Sequence, residues 1–254
     1  MTYERQTKIT RVIIKAAVLM LEFGAESILV EQTASRLGKA LGLKSVEVSM
    51  IPSAIVLSTL DMDRQSVTTT RRVHHKPINM SIVCDIQKLV IEVEKHDKDI
   101  LFIIDYMKKI TPNYYNRWLV VFMVGLACAS FSHLQGADII SFFLTFFAAS
   151  FGMFIRQELS KQKFVMFITF GITAFVITCI GSLGYLFDSV NTNVVLASSV
   201  LLLVPGFAYI NSFLDALKGY LSMGWGRWLE GTLLIVSTSI GIILAMSILD
   251  IKGW

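Results

Sequence analysis

Asn211, Asp215 and Lys218 follow one another at spacings of four and three, so a helix would carry all three on one face. They come shortly after Leu203-Val204-Pro205-Gly206, in an otherwise apolar stretch. Polar groups in lipid are costly unless they face protein or water, so such a face points to a polar pathway or its mouth. Pro205 removes a backbone donor and Gly206 permits an unusual turn, a combination tolerated in a membrane only where neighbouring groups satisfy the freed carbonyls. A helix broken there would expose dipole ends to a substrate, as in many secondary transporters. The same residues also fit a plainer arrangement, a proline kink that suits the bundle with Asp215 and Lys218 as a solvated ion pair.

Other side chains offer chemistry singly. Arg156-Gln157 closes an apolar stretch, where the guanidinium could bind a carboxylate in two-pronged fashion or anchor the helix at the interface. Arg227 and Lys218 are further cations for an anionic substrate, and Glu230, near the start of the last apolar stretch, could snorkel or, like Asp215, carry a proton. Glu26-Ser27 reads as a helix start rather than a base and nucleophile. His74 and His75 are adjacent, not at ligand spacing, so no metal site is expected. The chain has no Gly-x-Ser-x-Gly elbow, no Cys-x-x-Cys, no His-Glu-x-x-His and no phosphate loop, so neither enzyme nor cofactor is expected. Cys84, Cys128 and Cys179 form no disulfide or metal pattern and are read as buried apolar residues.

The elements that must position these groups divide in two. Of 254 residues 54% are hydrophobic and only 17% charged, more apolar than a soluble domain can bury, and most of the charge precedes Arg117. The net charge of +4 forms no basic stripe with interleaved aromatics, which argues against nucleic acid. Ile9, Val12, Ile13, Ala16, Met20 and Phe23 make one face of a first helix resting on a soluble core. A break at Gly24 and a helix over 26–41 ending at Gly42 follow, then strands near 46–50, 54–60 and 66–73 with a turn at Asp61-Met62-Asp63. Helical periodicity returns over 81–96 and 98–110, and Thr111-Pro112-Asn113 marks the boundary.

Beyond it, stretches near 118–134, 137–155, 164–187, 194–213 and 228–249 are each long enough for a bilayer core of about 20 helical residues. Lys108, Lys109 and Arg117 precede the first. Arg156, Lys161 and Lys163 fill the second connection and Lys218 and Arg227 the fourth, while Asp138 and Asp188 lie in the cation-free first and third. Because cations near helix ends stay on the cytoplasmic side, the N-terminal domain is expected in the cytosol and the C-terminus outside. The expectation is therefore an α-helical integral membrane protein of about five transmembrane helices. An N-terminal cytosolic α+β domain occupies 1–112 and the helical bundle 113–254. Small residues such as Gly125, Ala148, Gly152, Gly181 and Ser198 suit close helix packing or an interface with another membrane protein.

Phe-Gly-Ala-Glu-Ser at 23–27, Ile-Asn-Met at 78–80, Arg-Trp-Leu at 117–119, Ile-Arg-Gln at 155–157 and Leu-Val-Pro-Gly at 203–206, followed by Asn211 and Asp215, resemble the threonine/serine exporter (ThrE) family. The likeness is greatest to its split, YjjP-like branch and runs from the first helix to the terminal Lys-Gly-Trp. It implies a cytosolic domain joined to five spans in a bacterial inner membrane. It also implies a partner, a small YjjB-like membrane protein that supplies the spans this chain lacks, with higher oligomers open. The family name points to threonine and serine, and the split branch to succinate and related C4-dicarboxylates. Glu26, Ser27 and Asn79 fall within the shared motifs without an assigned role. Phe23 stands where relatives often carry His, so no role of that ring carries over.

Overall fold

The computed structural model describes residues 2–74, 76–96, 99–187 and 191–251. His75, Lys98, Asp188 and the terminal Lys-Gly-Trp lie outside them. The chain forms two compact units, Met1–Tyr114 with Tyr209–Trp228, and Tyr115–Ala208 with Leu229–Trp254. The N-terminal unit thus includes a segment from deep within the apolar half.

The first unit begins with α1 (Tyr3–Glu22) and α2 (Ser27–Ala40), followed by a meander of β1 (Ser45–Ile51), β2 (Ala54–Leu60) and β3 (Ser66–Arg72). Both strand pairs are antiparallel, with Val48 opposite Leu57 and Leu57 opposite Thr69. Then come α3 (Met80–His96) and α4 (Ile100–Lys109). The six apolar positions expected on one face of α1 are all buried, among Leu37, Ile55, Leu57, Ile86, Leu89 and Ile103. Two polar side chains fasten this helix to the sheet: buried Gln6 donates to the carbonyls of Thr59 (3.2 Å) and Gln65 (3.0 Å), and Thr10 shares a 2.7 Å hydrogen bond with Thr59. Gly42 has φ +84°, the left-handed cap expected after α2. Asp61 makes the expected turn by accepting the Met62 amide at 2.6 Å. Cys84 departs from expectation: it is exposed on α3, whereas Cys128 is buried and Cys179 half-buried.

The second unit is built from α5 (Arg117–Leu134), α6 (Ile139–Lys161), α7 (Met166–Gly181, extended by a 3₁₀ turn Ser182–Leu186), α8 (Thr192–Val200, extended by Leu201–Leu203) and the greater part of α10 (Leu221–Ile248). Between α8 and α10 lies α9 (Gly206–Leu217), set at 58° to the helix before it. Among the described residues four helices are long and apolar enough to cross a membrane, or five if the bent pair is one span. Only 22% to 39% of each single-helix span is buried within the protein, so most of its apolar surface, including Phe122, Phe147 and Ile243, faces outward. Small residues bring the helices together: the Gly125 site lies 3.0 Å from the Phe146 carbonyl oxygen, measured from where a Cβ would stand.

Candidate functional site

Within the first unit a polar cluster surrounds the link between α1 and α2. Gly24 has φ +97°, and the Ala25 amide donates back to the Met20 carbonyl at 3.0 Å, ending α1 in a glycine-dependent cap. The chain then turns directly into α2, which exposes four consecutive carbonyls to partners elsewhere. Those of Glu22 and Phe23 accept from the amides of Lys76 (3.0 Å) and Asn79 (3.1 Å). Those of Gly24 and Ala25 accept from Asn211 Nδ2 (3.3 Å) and the Arg227 guanidinium (2.7 Å).

Asp215 completes the arrangement. Its carboxylate accepts the Ser27 backbone amide at 3.0 Å and pairs with Arg227 at 2.8 Å, with side-chain exposures of 0% for Asp215 and 10% for Arg227. Ser27 is the first residue of α2, and Glu26, in the capping position, makes no side-chain cap bond. A helix N-terminus presents unsatisfied amides and a positive dipole end, so it stabilises an anion, here a carboxylate 188 residues away in the chain. The Ser27 hydroxyl is also fully buried and has no hydrogen-bond partner among the described residues.

Around this centre, Lys218 pairs with Glu26 at 2.6 Å, both about a third exposed, and Tyr220 donates to Glu31. Burial, then the Glu31 carboxylate, pushes the Tyr220 phenol above its usual range. The segment returns through Ser212, whose hydroxyl donates to the Gly224 carbonyl at 2.8 Å.

The expected residues therefore separate. Asn211, Asp215, Lys218 and Arg227 gather with Glu26 and Ser27 in one cluster, but Asp215 pairs with Arg227 rather than Lys218, which lies just past the end of α9. Ser27 is not a capping side chain, because the cap arrives from Asp215. The Asn79 side chain lies outside the Asp215 cluster: its oxygen accepts from the Ser81 amide and hydroxyl at the start of α3, and its Nδ2 donates to the Asn113 carbonyl at 3.0 Å. Arg156, Gln157, Pro205 and Gly206 are in the second unit. Arg156 donates to the Leu202 carbonyl at 3.2 Å and lies 4.6 Å from the Phe170 ring centre. That carbonyl is one the proline-broken helix leaves open, since the Gly206 amide turns to Val204 instead. Gly206 itself has no positive φ and open space around it, so the break comes from proline and not from glycine. Gln157 donates to the Arg117 carbonyl at 3.4 Å, and Glu230 is half-buried on α10. Among the described residues no group of acidic, His or Cys side chains could hold a metal ion.

Glu31, Tyr220, Gly224 and Gly226 escaped notice in the sequence. The Gly-Trp-Gly at 224–226 carries a signal, because both glycines are sites of close approach: a Cβ on Gly224 would stand 2.7 Å from the Ser212 carbonyl oxygen, and one on Gly226 would collide with Pro52.

Residues 11–249 match the sequence profile of the family described as "Putative threonine/serine exporter". The chain is 42% identical, over the full length of both, to the "Probable succinate transporter subunit YjjP" of Escherichia coli. It is 41% identical to the protein of the same description in Klebsiella aerogenes, over 98% of this chain and 97% of that one. A third relative, the "Probable threonine/serine exporter" of Mycobacterium tuberculosis, is 22% identical over 94% of this chain but only 46% of its own length. No solved structure matches. These descriptions name transport and not an enzymatic reaction, and the word subunit implies a further component. The chain belongs to the threonine/serine exporter family.

Proposed function

We propose that this chain is half of a secondary exporter of succinate and related C4-dicarboxylates in a bacterial inner membrane, completed by a YjjB-like partner. In this reading the apolar helices cross the bilayer, 1–112 is a cytosolic domain, 113–254 is the membrane bundle and the C-terminus is periplasmic. Relatives of equal length named as succinate transporter subunits support it. The Mycobacterium relative, more than twice as long as its matched region, supports the need for added spans.

The observation that carries the substrate class is the Asp215 carboxylate itself, held between the Arg227 guanidinium and the N-terminus of α2 and shielded from water. The protein already contains a receptor for a carboxylate, with one carboxylate in it. A substrate carboxylate would compete for the same two partners, and the unpartnered Ser27 hydroxyl offers it a third donor. Lys218, which reaches Glu26 beside Ser27, is the next cation for the second carboxylate of a diacid. Release of Asp215 would loosen the 209–228 segment from the α1–α2 link, a two-state element suited to alternating access.

Release of labelled succinate and threonine from preloaded cells, with and without the YjjB-like partner, tests the proposal. Succinate efflux that needs both chains and is lost in Arg227→Gln supports it. Preferential threonine efflux would favour the amino-acid exporter instead, and efflux of neither would leave a membrane-anchored sensor or assembly protein.

A further inference from the structure

A second charged site lies in the first unit and shares no residue with the Asp215 cluster. A cleft of about 420 Å³ opens among α1, the end of β3 and α4. Its rim carries Lys8, Arg11 and Lys15 from one face of α1, and Arg71 and Arg72 from β3. Its floor is apolar and includes Val12 and Met107, both nearly fully buried. The volume falls within the usual range of small-ligand pockets.

Among the described residues no carboxylate lines this cleft. Elsewhere in the unit Arg36 pairs with Glu94, Lys76 with Glu22, Lys88 with Asp85 and Lys109 with Asp105, while single cations such as Lys39, Lys44 and Lys95 stand apart without an ion pair among the described residues. Of the five rim cations only Lys8 forms an ion pair among the described residues, with Glu4 one turn away on the exposed surface. Arg11, Lys15, Arg71 and Arg72 form none among the described residues, all four are exposed, and an anion bound among them would be attracted by each. A C4-dicarboxylate supplies two negative charges for these four. Clustered phosphates supply three or four, and guanidinium forks match phosphate oxygens in pairs. The apolar floor asks for a flat or aliphatic body attached to those charges.

We propose that this cleft binds a soluble nucleoside polyphosphate, with its phosphates on the rim cations and its base on the apolar floor. The assignment does not rest on the exporter reading, since it uses neither Asp215 nor any transport step.

The test uses the full chain in nanodiscs of phosphatidylcholine, with metal-free ATP titrated by calorimetry and succinate as a control anion. In parallel, nanodiscs containing phosphatidylglycerol are examined for lipid that stays bound in native mass spectrometry. Arg71→Gln/Arg72→Gln and Arg11→Gln remove charge from separate elements, while Lys95→Gln on α3 is the control. Loss of charge-assisted contacts should weaken ATP binding at least about tenfold in the two rim variants and leave the control unchanged. Binding should fall with added salt. Retention of phosphatidylglycerol without ATP binding, again lost in the rim variants, would overturn the nucleotide assignment and mark the rim as a lipid-surface patch. The proposal is likewise overturned if the wild-type chain holds no ATP, or if rim variants that melt with the wild type hold ATP as well.

Discussion

Asp215 and Arg227 stabilise each other where water does not reach, so removing one leaves a buried charge without its counterpart. Asp215→Ala and Arg227→Ala should each cost about 3–5 kcal/mol, read as a large drop in melting temperature of the purified protein. Lys218→Ala breaks a shorter contact, yet its pair with Glu26 is about a third exposed, and about 0–1 kcal/mol is expected. Equal losses for Arg227→Ala and Lys218→Ala would show that the Asp215 pair is hydrated in solution. The sequence made Asn211 and Asp215 conspicuous as polar residues sharing a face after Pro205-Gly206, and Arg227 as a cation of the fourth connection. It could not show that their partners are Gly24, Ala25 and Ser27, since helical spacing relates residues three or four apart and says nothing about a carbonyl almost two hundred residues away. The same blindness made Lys218, three residues from Asp215, the apparent partner.

At the scale of elements, glycines separate close helix contact from mere habit. A Cβ on Gly241 of α10 would collide with the Gly171 carbonyl of α7, backbone that cannot move aside, whereas one on Gly206 meets nothing within 4 Å. Gly241→Ala is therefore expected to destabilise by about 1–3 kcal/mol and Gly206→Ala to melt near the wild type. A comparable loss for Gly206→Ala would restore that glycine as the cause of the helix break. The contact between α2 and α3 offers a pH dependence. The Arg36 hydrogen bond holds the Glu94 carboxyl below its usual range, so the pair stabilises the fold above the ordinary carboxylate value of about 4.3 and loses this as pH falls through the lowered folded value. With the partners 46% and 34% exposed, solvent screening limits the effect to under about 1 kcal/mol. Glu94→Gln should thus melt slightly below wild type from pH 7 to about 5, with the gap closing under about pH 4. The strands and helices themselves were legible, because alternation over 46–50 and the apolar face of α1 are local patterns. The departure at Gly206 arose because a Pro-Gly pair suggests a glycine turn whenever only composition is known.

For the whole molecule, the sequence located all the stretches that the structure folds as long apolar helices, and it missed that the 209–228 segment is shared with the N-terminal unit. That sharing also changes the charge argument for topology. Arg227 is neutralised by a buried carboxylate and lies within α10, so the cations left to orient the fourth connection reduce to Lys218, itself paired with Glu26. The orientation then rests on Lys108 and Lys109 ahead of α5, Arg117 as its first residue, Lys161 as the last residue of α6 and Lys163 just beyond it, with Arg117 and Lys161 themselves paired to Glu158, and all these lie on the same side if α5 and α6 each cross the bilayer. Cys84 provides a natural reporter, being exposed on the first unit while Cys128 is buried and Cys179 half-buried in apolar helices. With Cys128 and Cys179 replaced by Ala, a membrane-impermeant maleimide should label Cys84 in inside-out vesicles and leave it unlabelled in intact spheroplasts. Labelling in spheroplasts would place the first unit outside, reverse the direction in which the Asp215 cluster meets its substrate, and turn the proposed exporter half into a component facing the periplasm.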